Sequence, residues 1–303
     1  MKRIVVMLIV MLMAFSFFAG SNETASAESN APIAENMEFL TYRNISFGGR
    51  LDAHAPSGEK LKFFICTEPV KGRIELEENG HFVYTPDENK KGRDYFGYKA
   101  MDESGRCSQE ATVIIKIQKQ KQAFSYCDMS GKAAEYAAVR LNELGIFTGE
   151  RLCGQYVFDP EREVSRGEFI SMCMYLCDSD PLSAALSTGY SDDADIPDWL
   201  KPYAVTAVMS GADTGLPAED GRYFAGTASL SYEQAALILD NILNTSIADY
   251  LEAPEKVDAA AAQACMNLSA CGLVYDSAAE YANLSREEAA LMLLTAWQIK
   301  ENR

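Results

Sequence analysis

The sequence predicts two parts, an all-β sandwich followed by an all-α triplet of helical repeats. Three observations carry this. Between Glu35 and Gln118, apolar and polar residues alternate in short runs broken by turn residues. From Phe124 onward, apolar residues recur at helical spacing instead. Within that second half, one local pattern returns three times.

In the first part, Leu61 to Cys66 is apolar and β-prone. Arg73 to Glu77 and His81 to Thr85 alternate on either side of Asn79-Gly80, a strong hairpin signal. Tyr95 to Met101 and Ala111 to Ile117 flank the turn Asp102-Glu-Ser-Gly105. Several short strands at this spacing indicate a sandwich over 35–118. Residues 28–34 precede it as a flexible N-terminus, and 119–123, opening Lys-Gln-Lys-Gln, read as a polar linker.

The repeated pattern is clearest between Gly145 and Phe169. Gly145 ends an amphipathic segment in which Ala137, Leu141 and Leu144 share a face, as a C′ glycine does. Ser165 and Glu168 have capping-box spacing, with Val164 and Phe169 placed as a hydrophobic staple. Phe169, Met172, Cys173, Leu176 and Cys177 then form an apolar helical stripe. Leu230-Ser231-Tyr232-Glu233-Gln234 and Leu284-Ser285-Arg286-Glu287-Glu288 repeat the staple and box. Gly211 stands 20 residues before Ser231, as Gly145 does before Ser165. Phe224 and Phe158 each stand 7 residues before their Ser, whereas Gly272 precedes Ser285 by only 13. The repeats are placed at 124–178, 188–246 and 250–303, the third degenerate.

The order Gly145-Ile-Phe-Thr-Gly149, Phe158-Asp-Pro160, Ser165-Arg-Gly-Glu168 resembles the S-layer homology (SLH) module, which comes in threes in bacterial surface proteins. Gly80-His-Phe-Val-Tyr84-Thr-Pro86 and Gly92-Arg-Asp-Tyr-Phe-Gly-Tyr98 resemble a bacterial Ig-like (cadherin-like) repeat, a spacer or binding module. The SLH resemblance implies a pseudo-threefold arrangement with polysaccharide lying in grooves between neighbouring modules.

Lys2 and Arg3, an apolar run from Ile4 to Gly20, and Ala25-Ser-Ala27 read as a signal peptide over 1–27. Its removal leaves no stable membrane span expected. The chain of 303 residues carries a net charge of −17. A surface so acidic disfavours nucleic acid, and any anion must be held by local cationic pockets. The eight Cys have no metal-ligand spacing and read mostly as buried free thiols, with Cys66–Cys107 a lesser alternative. Asp94 and Asp102 read as turn residues rather than calcium ligands, and Asp192, Asp193, Asp195 and Asp198 as a solvated helix cap. With only His54 and His81 and no nucleophile motif, the chain is expected not to be an enzyme, and to use neither metal nor cofactor.

The residues that invite a ligand are Arg166 and Arg286, each directly after an N-cap Ser. A cation is locally unfavourable there, which makes sense if it and free helix N–H groups jointly hold an anion. The bland alternative is a surface ion pair with neighbouring Glu. The SLH resemblance implies that the matching Arg contacts an acidic, often pyruvylated, secondary cell-wall polysaccharide, with Ser165, Glu168 and Ser285 beside it. Tyr232 stands where the second motif wants Arg and has the surface to stack on a sugar. Trp199 either lines a sugar groove or plugs the base of its helix, while Trp297 reads as core. The expected function is non-covalent anchoring to a Gram-positive-type cell wall. The alternative is a surface interaction protein whose degenerate repeats are only scaffold.

Overall fold

The computed structural model describes residues 31–56, 58–177, 181–182, 187–213, 215–219, 221–245, 259–271 and 283–302. The expected signal peptide and Gly272 lie outside them. The alternating part forms nine strands: β1 (Ile33–Ala34), β2 (Met37–Tyr42), β3 (Phe47–Arg50), β4 (Ala53–His54), β5 (Lys62–Thr67), β6 (Gly72–Leu76), β7 (His81–Pro86), β8 (Gly92–Met101) and β9 (Ala111–Gln118). One sheet runs β2-β9-β8-β5 and a second β3-β7-β6, with β1 and β4 as a separate pair. β2 lies parallel to β9, and the other pairings are antiparallel. Period-two alternation places Phe82, Tyr84, Phe96, Tyr98, Val113 and Ile115 between the sheets, all essentially buried.

The β6–β7 hairpin forms around Asn79-Gly80 as expected, though with a longer turn. The Glu77 N–H donates to the His81 carbonyl (2.8 Å), and Gly80 takes a positive φ of 93°. The Asp94 carboxylate accepts from the Val70 and Lys71 amides (3.0 and 2.8 Å) and from the buried Tyr84 hydroxyl (2.7 Å). Asp102 accepts from the Arg106 amide and Nε (2.9 and 2.7 Å). Asp102 is a turn residue as expected, whereas Asp94 lies within β8 and ties the loop before β6.

The second part is helical: α1 (Glu135–Glu143), α2 (Arg166–Leu176), α3 (Lys201–Ser210), α4 (Tyr232–Leu243), α5 (Ala259–Ala270) and α6 (Arg286–Glu301). All three capping boxes are present, on Ser165/Glu168, Ser231/Gln234 and Ser285/Glu288. Val164, Leu230 and Leu284 are buried as staple residues. Gly145 and Gly211 end α1 and α3 with positive φ, the conformation that a side chain resists.

Three segments differ from the sequence expectation. The stretch between Gly145 and the first cap contains a hairpin, β10 (Glu150–Leu152) and β11 (Gln155–Val157). A second, β12 (Leu216–Ala218) and β13 (Gly221–Tyr223), occupies the matching place after Gly211. The acidic run does not cap α3, whose N-cap is Leu200 without a side-chain bond, although Pro202 does sit in its first turn. Asp192 instead accepts from the Phe224 and Ala225 amides (both 2.8 Å), as Asp128 does from Phe158 and Asp159 (2.9 and 2.7 Å). The helical parts thus share a carboxylate clasp that spacing alone did not show.

The helices join in a cycle. α2 packs on α3, α4 on α5, and α6 on α1. At the centre, Val164 donates its N–H to the Leu284 carbonyl (2.8 Å), Leu284 to Leu230 (2.7 Å), and Leu230 back to Val164 (3.3 Å).

The sandwich and the helices do not merely adjoin through the Lys/Gln segment. Gly48 donates its N–H to the Ala133 carbonyl (2.8 Å), and a Cβ on Gly48 would lie 2.6 Å from that of Ala133. The rings of Tyr42 and Phe47 meet Tyr136 at 5.3 and 5.9 Å. Glu135, 3% exposed, accepts from the amides of Ser46 (2.9 Å) and Gly131 (3.0 Å). Burial raises its pKa, and those amide bonds offset only part of the effect.

A carboxyl whose folded pKa lies above its unfolded value holds its proton more tightly when folded. Its contribution to stability is therefore present at low pH and is lost as pH rises above the ordinary Glu range. We expect Glu135→Gln to gain stability over the wild type as pH rises from about 4 to 7. Thermal unfolding of both proteins across that range measures it; a difference independent of pH would contradict the assignment.

Candidate functional site

The structure gives the helix starts a different use from the one expected. Arg166 and Arg286 are 4% and 6% exposed. Arg166 Nε donates to the Phe224 carbonyl (3.0 Å), and its Nη2 pairs with Asp213, itself 4% exposed. Asp213 also accepts from the Tyr190 hydroxyl (3.0 Å) and the Gly215 amide (3.1 Å). Burial and the adjacent Asp213 push the Tyr190 hydroxyl well above the ordinary tyrosine range. Arg286 Nε donates to the Phe158 carbonyl (2.6 Å) and Nη2 to that of Thr148 (3.2 Å). Its guanidinium lies over the rings of Phe147 and Phe158, at 4.5 and 4.8 Å.

The amides are engaged too. In α2, Arg166 donates to Ala228, Gly167 to Gly226 (both 2.9 Å), and Glu168 to the Ser165 hydroxyl (3.3 Å). In α6, Arg286 donates to Arg162, Glu287 to Pro160 (both 2.9 Å), and Glu288 to Ser285 (3.2 Å). The expected anion cradle of a first-turn Arg with free N–H groups is therefore corrected. Both Arg side chains tie their helix to the loop of an adjacent repeat, because that loop offers carbonyl oxygens, and at Arg166 a carboxylate, at guanidinium spacing. Arg166 is not the exposed residue its helix-start position suggested. Tyr232 is 6% exposed and so does not present a stacking face to solvent.

Other expected residues do converge. A groove of about 410 Å³ lies between the starts of α2 and α3, lined by Arg162, Ser165, Glu168, Trp199, Thr227 and Ser229 among others. Trp199 is 57% exposed, which favours the groove-wall role over the helix plug. Glu168 divides its carboxylate: one oxygen closes the box on the Ser165 amide (3.0 Å), and the other accepts from Arg162 Nη2 (2.9 Å). The cation facing the groove is thus Arg162, three residues before the cap. Sequence reasoning passed over it because it stands outside the motif. At the exposed edge of the same groove, Glu163 accepts from Ser229 Oγ (2.7 Å) and Asn283 Nδ2 (3.0 Å), and these bonds lower its pKa. Ser285 and Arg286 are not among the residues that line this groove.

A larger cleft, about 1220 Å³, opens between the sandwich and α6 and is lined by Phe39, Phe47, Phe82, Leu291, Tyr232 and others. It is mostly apolar, although its lining also includes Arg50 and Lys116, the latter paired with Glu38. Trp297 is partly buried and lies under Arg140, at 4.9 Å. Cys66 and Cys107 are not joined in a disulfide, and with Cys127 and Cys153 they are exposed, so burial does not account for these four. Among the described residues, no helix is long and apolar enough to cross a membrane.

No curated protein matches the chain. Among solved structures it is similar to an endo-fucoidan hydrolase of glycoside hydrolase family 107, at 14% identity over 31% of this chain and 14% of that chain (TM-score 0.27). It is also similar to human protocadherin-24 EC1-2, at 18% identity over 30% of this chain and 54% of that one (TM-score 0.24). A mutant of the SrpA adhesin from Streptococcus sanguinis matches at 15% identity over 32% of this chain and 63% of that one (TM-score 0.24). The chain spans less than two thirds of each of these proteins. Residues 29–116 match the family model of the bacterial Ig domain, which fits the two facing sheets described above.

Proposed function

We propose that the chain attaches non-covalently to a bacterial cell wall outside the cytoplasmic membrane, by SLH-type repeats that hold an acidic, often pyruvylated, wall polysaccharide and display the Ig domain. The observation that carries this reading is the groove between α2 and α3. There an exposed indole stands beside a tethered guanidinium and several hydroxyls, a set suited to a sugar ring bearing a carboxylate. The cyclic packing of the helices and the ring of bonds through Val164, Leu230 and Leu284 support the pseudo-threefold arrangement that the resemblance implies. In this reading Ser165 and Glu168 shape the groove, Arg162 supplies the charge, and Arg166 and Arg286 hold the repeats together. The activity is binding, not catalysis.

The scaffold reading also has an observation in its favour, since the two motif Arg side chains are enclosed by protein. Co-sedimentation of the chain from residue 28 onward with purified Gram-positive cell walls separates the two. Saturable sedimentation, competed by free wall polysaccharide, is expected. A folded chain that stays in the supernatant would leave the scaffold reading.

A further inference from the structure

Beyond the groove, an aromatic surface continues without a break. Trp199, on the groove wall, meets the ring of Tyr203 on α3 at 6.4 Å. Tyr203 in turn meets the ring of Tyr175 on α2 at 5.9 Å, and their hydroxyls are hydrogen-bonded at 2.9 Å. That bond, together with burial and the neighbouring hydroxyl's charge, pushes the Tyr203 hydroxyl up to about 12. Trp199 and Tyr175 are 57% and 53% exposed, and Tyr203 is half-buried between them. Three adjacent rings, two on the packed helices α2 and α3 and one just before α3, with the two tyrosine hydroxyls linked, form an unusual surface for an acidic chain.

The first repeat shows what this face does when it serves packing. Trp199 and Tyr203 stand 12 and 8 residues before Gly211, and the residues at the same distances before Gly145 are Ala133 and Ala137. There the β-sandwich seats Gly48 on Ala133, just before α1, beside the Tyr136 ring that meets Tyr42 and Phe47. The equivalent face of the second repeat carries large rings in place of alanines.

We propose that Trp199, Tyr203 and Tyr175 form a sugar-stacking ladder that extends the groove, so that the site takes several consecutive rings of a polysaccharide. The inference rests on the groove reading above. Continuity with the groove selects this occupant: a chain whose charged ring sits beside Arg162 and whose next ring lies on Trp199 is led across Tyr203 to Tyr175. Rigid rings of this kind provide contact area at low entropic cost. The net charge of −17 disfavours nucleic acid as the stacked polymer.

The test uses glycan fragments released from purified cell walls, sorted by length, and titrated against wild type, Tyr175→Ala and Tyr203→Phe. Tyr175 is exposed, so its truncation is expected to leave the melting temperature unchanged. Tyr175→Ala should bind long fragments about threefold to tenfold more weakly, and the shortest binding fragments as the wild type does. Tyr203→Phe, which keeps the ring, should stay within about twofold for both. Equal binding of long fragments by wild type and Tyr175→Ala would overturn the ladder and leave the groove standing. A wild type that binds neither walls nor fragments would remove the groove reading and the ladder with it. If Tyr175→Ala instead reduced self-association in analytical ultracentrifugation, with glycan binding untouched, the face would be a protein interface and the ladder would fall.

Discussion

Arg166→Ala is expected to destabilise the helical part by about 3–5 kcal/mol, the usual result of removing one member of a buried ion pair. The loss is large because Asp213 stays behind, 4% exposed, with Tyr190 and Gly215 left as its donors among the described residues. The Phe224 carbonyl loses its guanidinium partner at the same time. Urea unfolding followed by circular dichroism measures the change. A replacement of both partners, Arg166→Met with Asp213→Leu, should recover much of the loss, since the charge is then no longer stranded. A single mutant within about 0.5 kcal/mol of wild type would show that the pair contributes nothing there. Any loss of wall binding by Arg166→Ala should accordingly track unfolding rather than a missing contact.

Trp199→Ala should behave in the opposite way. The indole is more than half exposed and lines the groove, so unfolding should be little altered. Wall affinity should fall roughly thirtyfold or more, the scale of a binding hot spot built on Trp. Trp199→Tyr should retain part of the binding because it keeps a stacking surface. Binding isotherms on purified walls, with melting temperatures as the control, decide the matter. Full-strength binding by Trp199→Ala would place the polymer elsewhere or nowhere on the chain.

These two residues also show how far the sequence could be read. Caps and stops were legible because they are local: Ser165 meets Glu168, and Gly145 ends α1, within a single turn of chain. Asn79-Gly80 marked its hairpin for the same reason. Trp199 was legible as an aromatic near a helix entrance. Arg166 was not, since its partners Asp213 and Phe224 lie 47 and 58 positions away and reach it only through assembly of the repeats. A rule about cations at helix starts sees the cost of the charge but cannot see a neighbour's carbonyl. Asp192 and Asp128 were obscured likewise, because each carboxylate serves a loop about thirty residues downstream. Cys66 escaped for a different reason: the alternation of β5 turns Phe63 and Ile65 inward and so sets Cys66 on the open face, where the general tendency of Cys to be buried does not apply.

The three-membered ring through Val164, Leu230 and Leu284 bears on how such a protein can evolve. An open array of repeats can gain or lose a unit at its end, because each unit answers only to its neighbours along the chain. Here the last helix packs on the first, and Arg286 is completed by the loop that carries Phe158. Deleting a module would strand Arg side chains and leave two seams exposed, and inserting one would find no place in a closed circuit. Among the described residues the bonded ring has three members, and gaining or losing one would break it. Divergence must proceed by rewriting individual seams in place, as where Ala133, just before one helix, receives the β-sandwich and aromatic rings occupy the matching place in the next repeat.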